Sequence, residues 1–266
     1  MADRVVDGTF AVKAKRRLKT KGGAPYLALE LVDATGRIEA RVWNDVELLD
    51  GRFDEGDAIR VLGRVEKFRD RLQLDVRTLE ASDVDPATLT PTIRRDAEEL
   101  QGFLEFLISE IAHPGLSATV RAVLAGRDLS VYPATIDGHH SYAGGLLEHT
   151  VGVATLCREA AQLHPRLRSE LVLAAALVHD VGRTVELGRG PVFAVSDEGR
   201  LLGHVQLGIR LIDAHATGLS DTQRAELLHC VAAHHDLRSA HTAEAAVLYH
   251  ANQLDAAAAT RPVDQE

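Results

Sequence analysis

The hydrophobic repeat of this chain changes period once, and that change constrains the fold more than any single motif. Before residue 82 the apolar residues recur every second position. Ile38, Ala40 and Val42 alternate with Arg37, Glu39, Arg41 and Trp43, and Leu72, Leu74 and Val76 alternate with polar neighbours. Leu27, Leu29 and Leu31 repeat the pattern, and Val5–Val12 and Ala58–Val65 carry it more faintly. A period of two puts one face of a strand in a core and the other in water. Turn signals at Gly22-Gly23-Ala24-Pro25, Asp33-Ala34-Thr35-Gly36 and Asp54-Glu55-Gly56-Asp57 separate these segments. Five short strands within about 80 residues predict a small closed barrel.

From residue 96 the period is helical. Leu100, Phe103, Leu104, Leu107, Ile108 and Ile111 form a stripe at three- and four-residue spacing. The spacing predicts helices over 96–112, 116–125, 144–163, 168–180, 203–216, 221–235 and 243–259, with a hairpin or ordered loop over 190–202. Between the two regimes, residues 83–95 hold Pro86 and Pro91 and no period, and read as a linker. The fold class expected is therefore multi-domain: an N-terminal all-β barrel over 1–82, then an all-α helical bundle over 96–260.

Composition supports two domains with different tasks. Residues 1–85 hold 16 Lys+Arg against 17 Asp+Glu, whereas the rest of the chain holds 14 against 22. All five lysines lie between Lys13 and Lys67, and all 13 histidines between His113 and His250. An apolar fraction of 45% excludes disorder as the general state. The longest apolar run, Leu171–Val178, is far too short to span a membrane, so no membrane partner is expected. The first residues lead into no apolar signal segment, and Cys157 and Cys230 cannot form a disulfide framework. The expectation is a soluble cytoplasmic protein.

His179-Asp180 is the strongest chemical signal. It ends the apolar run Leu171–Val178, where an imidazole and a carboxylate are costly unless something satisfies them. A divalent cation would satisfy both. A helix cap explains an isolated pair equally well. The pair is not isolated, however: His149, His204, His234-His235, Asn252 and Asp255 also sit on amphipathic helix candidates. Bundles build metal sites from inward side chains on several helices. The competing account is a set of core histidines satisfied by hydrogen bonds.

In the barrel region, residues 1–21 carry Arg4, Lys13, Lys15, Arg16, Arg17, Lys19 and Lys21 against Asp3 and Asp7. Basic residues interleaved with aromatics suit single-stranded nucleic acid, and a solvated basic surface with aromatics in the barrel core accounts for them equally well. Tyr26, Trp43 and Phe68 are the stacking candidates, with Arg41 nearby, and the alternation sets Trp43 on the polar face.

The ordered set His149, His179-Asp180, His204 and His234-His235 resembles the HD superfamily of metal-dependent phosphohydrolases. The runs His139–Thr150, Ala176–Arg183 and Gly199–His204 narrow the resemblance to the YhaM-type 3′-5′ exoribonucleases, as do Tyr26-Leu27, Asp33–Ile38 and Trp43 in the first part. That resemblance implies an OB-fold followed by an HD domain and a metal-dependent exonuclease acting on single-stranded RNA or DNA. It implies one metal on His149, His179, Asp180 and Asn252, and a second bridged by Asp180 and held by His204, His234 and His235. Mn²⁺ is the first expectation, with Fe²⁺, Co²⁺ or Zn²⁺ also compatible with imidazole and carboxylate ligands. Arg183 would steady the phosphate, and His139, His140 and Tyr142 would line the substrate groove. Lys13, Arg16, Arg17, Lys19, Lys21, Tyr26, Arg41 and Trp43 would hold the strand.

Two residues depart from the family pattern. Asn252 stands where the family usually has aspartate, which removes a negative charge; Asp255, three residues on, points about 60° away around a helix. Arg183 replaces a common lysine and keeps the positive charge. Two other functions remain open: a phosphodiesterase acting on a small nucleotide, and a single-strand-binding protein with a weakened metal site. Homo-oligomer formation is also left open.

Overall fold

The computed structural model describes residues 3–69, 71–89, 95–188 and 193–260. The described residues fall into two compact units, one up to residue 89 and one from residue 95.

In the first unit, β1 (Val5–Lys19), β2 (Pro25–Asp33), β3 (Gly36–Val42), β4 (Ala58–Phe68) and β5 (Arg71–Ala81) close into a barrel ordered β1-β2-β3-β5-β4. The β3–β5 pair is parallel and the other pairs are antiparallel. β1 runs well past the Val5–Val12 expected from the sequence. Its first half pairs with β4 and its second half with β2, and a bulge between Val12 and Ala14 bends it from one partner to the other. Around that bulge Phe10, Ala11 and Val12 are buried in succession, so the alternation is lost where the strand turns. Leu27, Leu29, Leu31, Ala40, Val42 and Leu74 fill the core from the positions that the alternation indicated. A short helix, α1 (Val46–Asp50), was not expected; buried Val46 and Phe53 pack it against the barrel.

In the second unit, α2 (Ala97–Ser109), α3 (Pro114–Leu124), α4 (Gly145–Leu163), α5 (Ser169–Val178), α6 (Arg183–Glu186), α7 (Asp197–His215), α8 (Asp221–Ala233) and α9 (Ala243–Thr260) surround one core. All of Leu171–Val178 is buried, which makes α5 the central helix, covered on every side. The expected 168–180 helix stops at Val178, and His179 and Asp180 leave it in a turn.

The 190–202 segment departs most from expectation. Residues 189–192, Val192 among them, lie outside the described residues. Leu187 and Val195 form a single β-bridge. The Ser196 side chain then accepts from Gly199 N and caps α7, which starts six residues before the expected helix. Gly203, at φ 69° and ψ 161°, breaks α7 into two pieces just before His204. Only glycine takes that conformation without strain.

Candidate metal centre and nucleic-acid interface

Six side chains converge at the C-terminal end of α5. His149 comes from α4, His179 and Asp180 from the turn after α5, His204 from α7, and His234 and His235 from the end of α8. His149, His179 and His234 are fully buried, and Asp180 is 3% exposed. Around the Asp180 carboxylate, His204 Nε2 lies at 3.3 Å, His234 Nε2 at 3.5 Å, His149 Nε2 at 3.7 Å and His179 Nε2 at 3.8 Å. His149 and His179 present their Nε2 atoms to each other at 3.2 Å, and His204 and His235 do so at 2.8 Å.

The far side of each buried ring decides what these atoms can be. His179 Nδ1 donates to the Ala176 carbonyl at 2.7 Å, and His234 Nδ1 donates to the Val231 carbonyl at 2.6 Å. His149 Nδ1 donates to the Asp255 carboxylate at 2.6 Å. A carbonyl or carboxylate oxygen only accepts, so all three rings carry the proton on Nδ1 and expose a lone pair on Nε2. Burial pushes the His179 imidazole down to about 3, which keeps it neutral. Burial opposes ionisation of Asp180, but its neighbours, the Arg183 guanidinium among them, outweigh it and hold the carboxyl well below the usual range.

Lone pairs and a carboxylate thus face one another with no proton between them. Asp180 Oδ1 and His234 Nε2 are buried without a hydrogen-bond partner. Orphaned buried polar atoms of this kind call for an explanation. Two donors, each about 2.1 Å from a common ion and 90–110° apart, stand roughly 3.0–3.4 Å from each other. The His149–His179 and His204–Asp180 spacings fall within that bite and the His234–Asp180 spacing just beyond it, and the donor set fits a divalent cation.

Carboxylates also stand behind the outer ligands. Glu186 accepts from His204 N at 3.3 Å and from Arg183 Nη1 at 2.6 Å. Arg183 in turn brings its Nε to 3.8 Å from Asp180. Burial opposes the charge on Glu186, but His204 and Arg183 outweigh it and keep the carboxyl below its ordinary value. Gly182 makes this arrangement possible, because a Cβ there would overlap the His204 backbone carbonyl.

In the barrel unit, strand register sorts the basic residues onto two faces. Arg16 pairs with Ala28 and Ala28 with Arg41, while Leu18 pairs with Tyr26. These positions and Trp43, just past β3, share the outer face of β1, β2 and β3. Tyr26 and Trp43 stack at 4.8 Å between ring centroids, and the Arg41 guanidinium lies 6.0 Å from the Tyr26 ring. Trp43 remains 45% exposed. Among the described residues, Arg16, Lys19 and Lys21 form no ion pair, and Arg16 and Lys19 are exposed on β1 with Lys21 in the turn beyond. Arg17 pairs with Glu47 and Asp50 of α1, and Lys13 pairs with Glu30. Lys15 donates to the carbonyls of Asp50 and Phe53, which ties α1 down.

The HD domain family matches residues 146–257, and an OB-fold nucleic acid binding domain family matches residues 11–81. A 3′-5′ exoribonuclease YhaM of Oceanobacillus iheyensis is 30% identical over 237 residues, 86% of this chain and 75% of that protein. The chain belongs to the YhaM family. YhaM proteins of a Geobacillus species and of Listeria monocytogenes are each 28% identical, over 94% and 86% of this chain and 82% and 76% of their own lengths. The barrel is accordingly an OB-fold and the helical unit an HD domain.

Within this YhaM-family chain, the structure brings together the histidines and Asp180 that the sequence singled out. Asn252 is buried and donates its Nδ2 to the His234 carbonyl at 3.3 Å, which leaves Oδ1 as its only atom suited to a cation. His140 and Tyr142 have their polar atoms engaged: His140 Nε2 lies 2.9 Å from Asp255 Oδ2, His140 Nδ1 lies 2.8 Å from Tyr142 Oη, and Tyr142 donates to Glu148 at 2.6 Å. His139 instead keeps a buried, unpartnered Nδ1. Sequence reasoning missed Glu186, whose signal was its place three residues after Arg183, one helical turn away. It also discounted Asp255 on its angle around α9.

Proposed function

We propose that this protein is a metal-dependent 3′-5′ exoribonuclease acting on single-stranded RNA, with single-stranded DNA as a second substrate, in the cytoplasm. The observation that carries this reading is the convergence of Nε2 lone pairs on a buried, ionised Asp180, in a chain of the YhaM family. Relatives bearing the name 3′-5′ exoribonuclease supply the direction.

Residues 1–82 bind the strand and residues 96–260 cut it. His149, His179, Asp180 and the Asn252 Oδ1 would hold one divalent ion, and Asp180 with His204, His234 and His235 would hold a second. Mn²⁺ is the ion expected, with Fe²⁺, Co²⁺ and Zn²⁺ also able to use these ligands. Two such ions, when bound, supply an activated water, a sink for charge on the phosphate oxygens and help for the leaving alkoxide. Asp180 stays ionised and anchors the site. His179, held neutral by burial, cannot deliver a proton from the buried side. Arg183, held by Glu186, keeps its guanidinium beside Asp180, where it would neutralise part of the charge of a bound phosphate. His139 is the candidate for the groove wall. Trp43 over Tyr26 gives a base a stacking surface, with Arg16, Arg41, Lys19 and Lys21 on the phosphates.

The test uses 5′-labelled single-stranded RNA with Mn²⁺ and then with EDTA. A metal-dependent ladder that shortens toward the label is the result expected. RNA that stays intact yet shifts in a native gel would favour a binding protein, and a small-nucleotide phosphodiesterase would cleave only the short substrates.

A further inference from the structure

We propose that Asp255 is a positioning residue that fixes and strengthens His149 as a metal donor. The inference rests on the metal-centre reading above.

The half-site built from His149, His179, Asp180 and Asn252 has two imidazoles, one shared carboxylate and an amide. The Asn252 amide is oriented by the His234 carbonyl and brings no charge. Behind His149, on the side away from Asp180, the Asp255 Oδ2 accepts the Nδ1 proton at 2.6 Å. A carboxylate in that place locks the tautomer, aims Nε2 and makes the imidazole a better base, effects commonly worth about 10–100-fold in metal affinity.

Two features hold Asp255 there, the His140 side chain and the gap at Gly152. His140 Nε2 lies 2.9 Å from the same oxygen, and that ring is steadied by Tyr142, which Glu148 accepts from in turn. His140 adopts a left-handed backbone at φ 47°, an uncommon conformation for a residue with a side chain. On α4, Gly152 lies three residues after His149 on the same helix face. A Cβ at Gly152 would overlap Asp255 Oδ1, so the missing side chain is the slot the carboxylate occupies. Asn252 and Asp255 are one turn apart on α9, and each supports a different histidine, His234 and His149 respectively.

The test titrates metal-stripped full-length protein with Mn²⁺ alone, with free ion counted by electron paramagnetic resonance. Circular dichroism in EDTA checks that each variant is folded at the titration temperature. Asp255→Asn should weaken one binding step about tenfold or more and leave the other within about twofold. Gly152→Ala, which displaces the carboxylate without removing it, should weaken the same step. Adding Asn252→Asp to Asp255→Asn should recover part of the loss at the same step, which locates both residues on one ion. Unchanged binding, equal weakening of both steps, absence of rescue, or a third bound ion lost in Asp255→Asn would overturn the positioning role. If the unaltered protein binds no Mn²⁺, the metal-centre reading fails and this inference with it.

Discussion

Asp180 concentrates the tension between function and stability at the residue scale. Its carboxylate is buried, ionised and one oxygen short of a partner, which is favourable only when a cation is present. Asp180→Ala should therefore abolish metal-dependent hydrolysis yet melt no lower than the unaltered protein in EDTA. A large drop in melting temperature without metal would show that Asp180 is a structural residue instead. The buried imidazoles set the pH response of the metal-free protein. Burial pushes His179 down to about 3 and His139 down to about 4, while the unfolded chain returns both to the ordinary value near 6.5. Between those values the unfolded state binds more protons than the folded one, so stability is full above about 6.5 and is lost as pH falls toward 4. Asp255 acts in the same direction, since its hydrogen bonds with His140 and His149 outweigh burial and keep it ionised in the folded state. Melting in EDTA at pH 7.5 and pH 5.5 should show the lower value at pH 5.5.

Two element-scale features carry the working surfaces. The outer face of β1–β3 exists because strand register aligns Arg16 with Arg41 and Leu18 with Tyr26. Trp43 is the only tryptophan of the chain, so its fluorescence reports on that face alone. Single-stranded RNA in EDTA should quench it, and Trp43→Ala should weaken binding by about 5- to 150-fold, the range for one stacked base. Unquenched fluorescence at saturating RNA would remove Trp43 from the interface. In the helical unit, α6 and α7 approach closely at Gly182, beside the backbone of His204. Gly182→Ala should cost about 1–3 kcal/mol by overpacking and move His204 from Asp180. A thermal melt and a cleavage assay together check this, and loss of activity without loss of stability would point to chemistry at Gly182 and not to packing. The extent of each element was less readable than its kind. The bulge in β1 hid seven residues of strand from the alternation, and Ser196 began α7 ahead of the apolar stripe.

Over the whole molecule, the overall charge of −9 conceals an even barrel and an acidic helical unit. The salt dependence of binding should therefore belong to the barrel. A protein reduced to residues 96–260 should bind single-stranded RNA more weakly, and the slope of log affinity against log salt should shrink by roughly 0.7 for each phosphate that is no longer neutralised. An unchanged slope would refute the division of labour between residues 1–82 and 96–260. The sequence alone determined the two fold classes, the central place of Leu171–Val178 and the residue types of the site, because periodicity and residue chemistry are local properties. The kinked α7, the two-faced basic strand and the partners behind His149 and His204 were decided by the tertiary structure. Asp255 illustrates why: its angle on α9 excludes the ligand position, but only the packing of α9 against α4, through the gap at Gly152, turns that angle toward the back of His149.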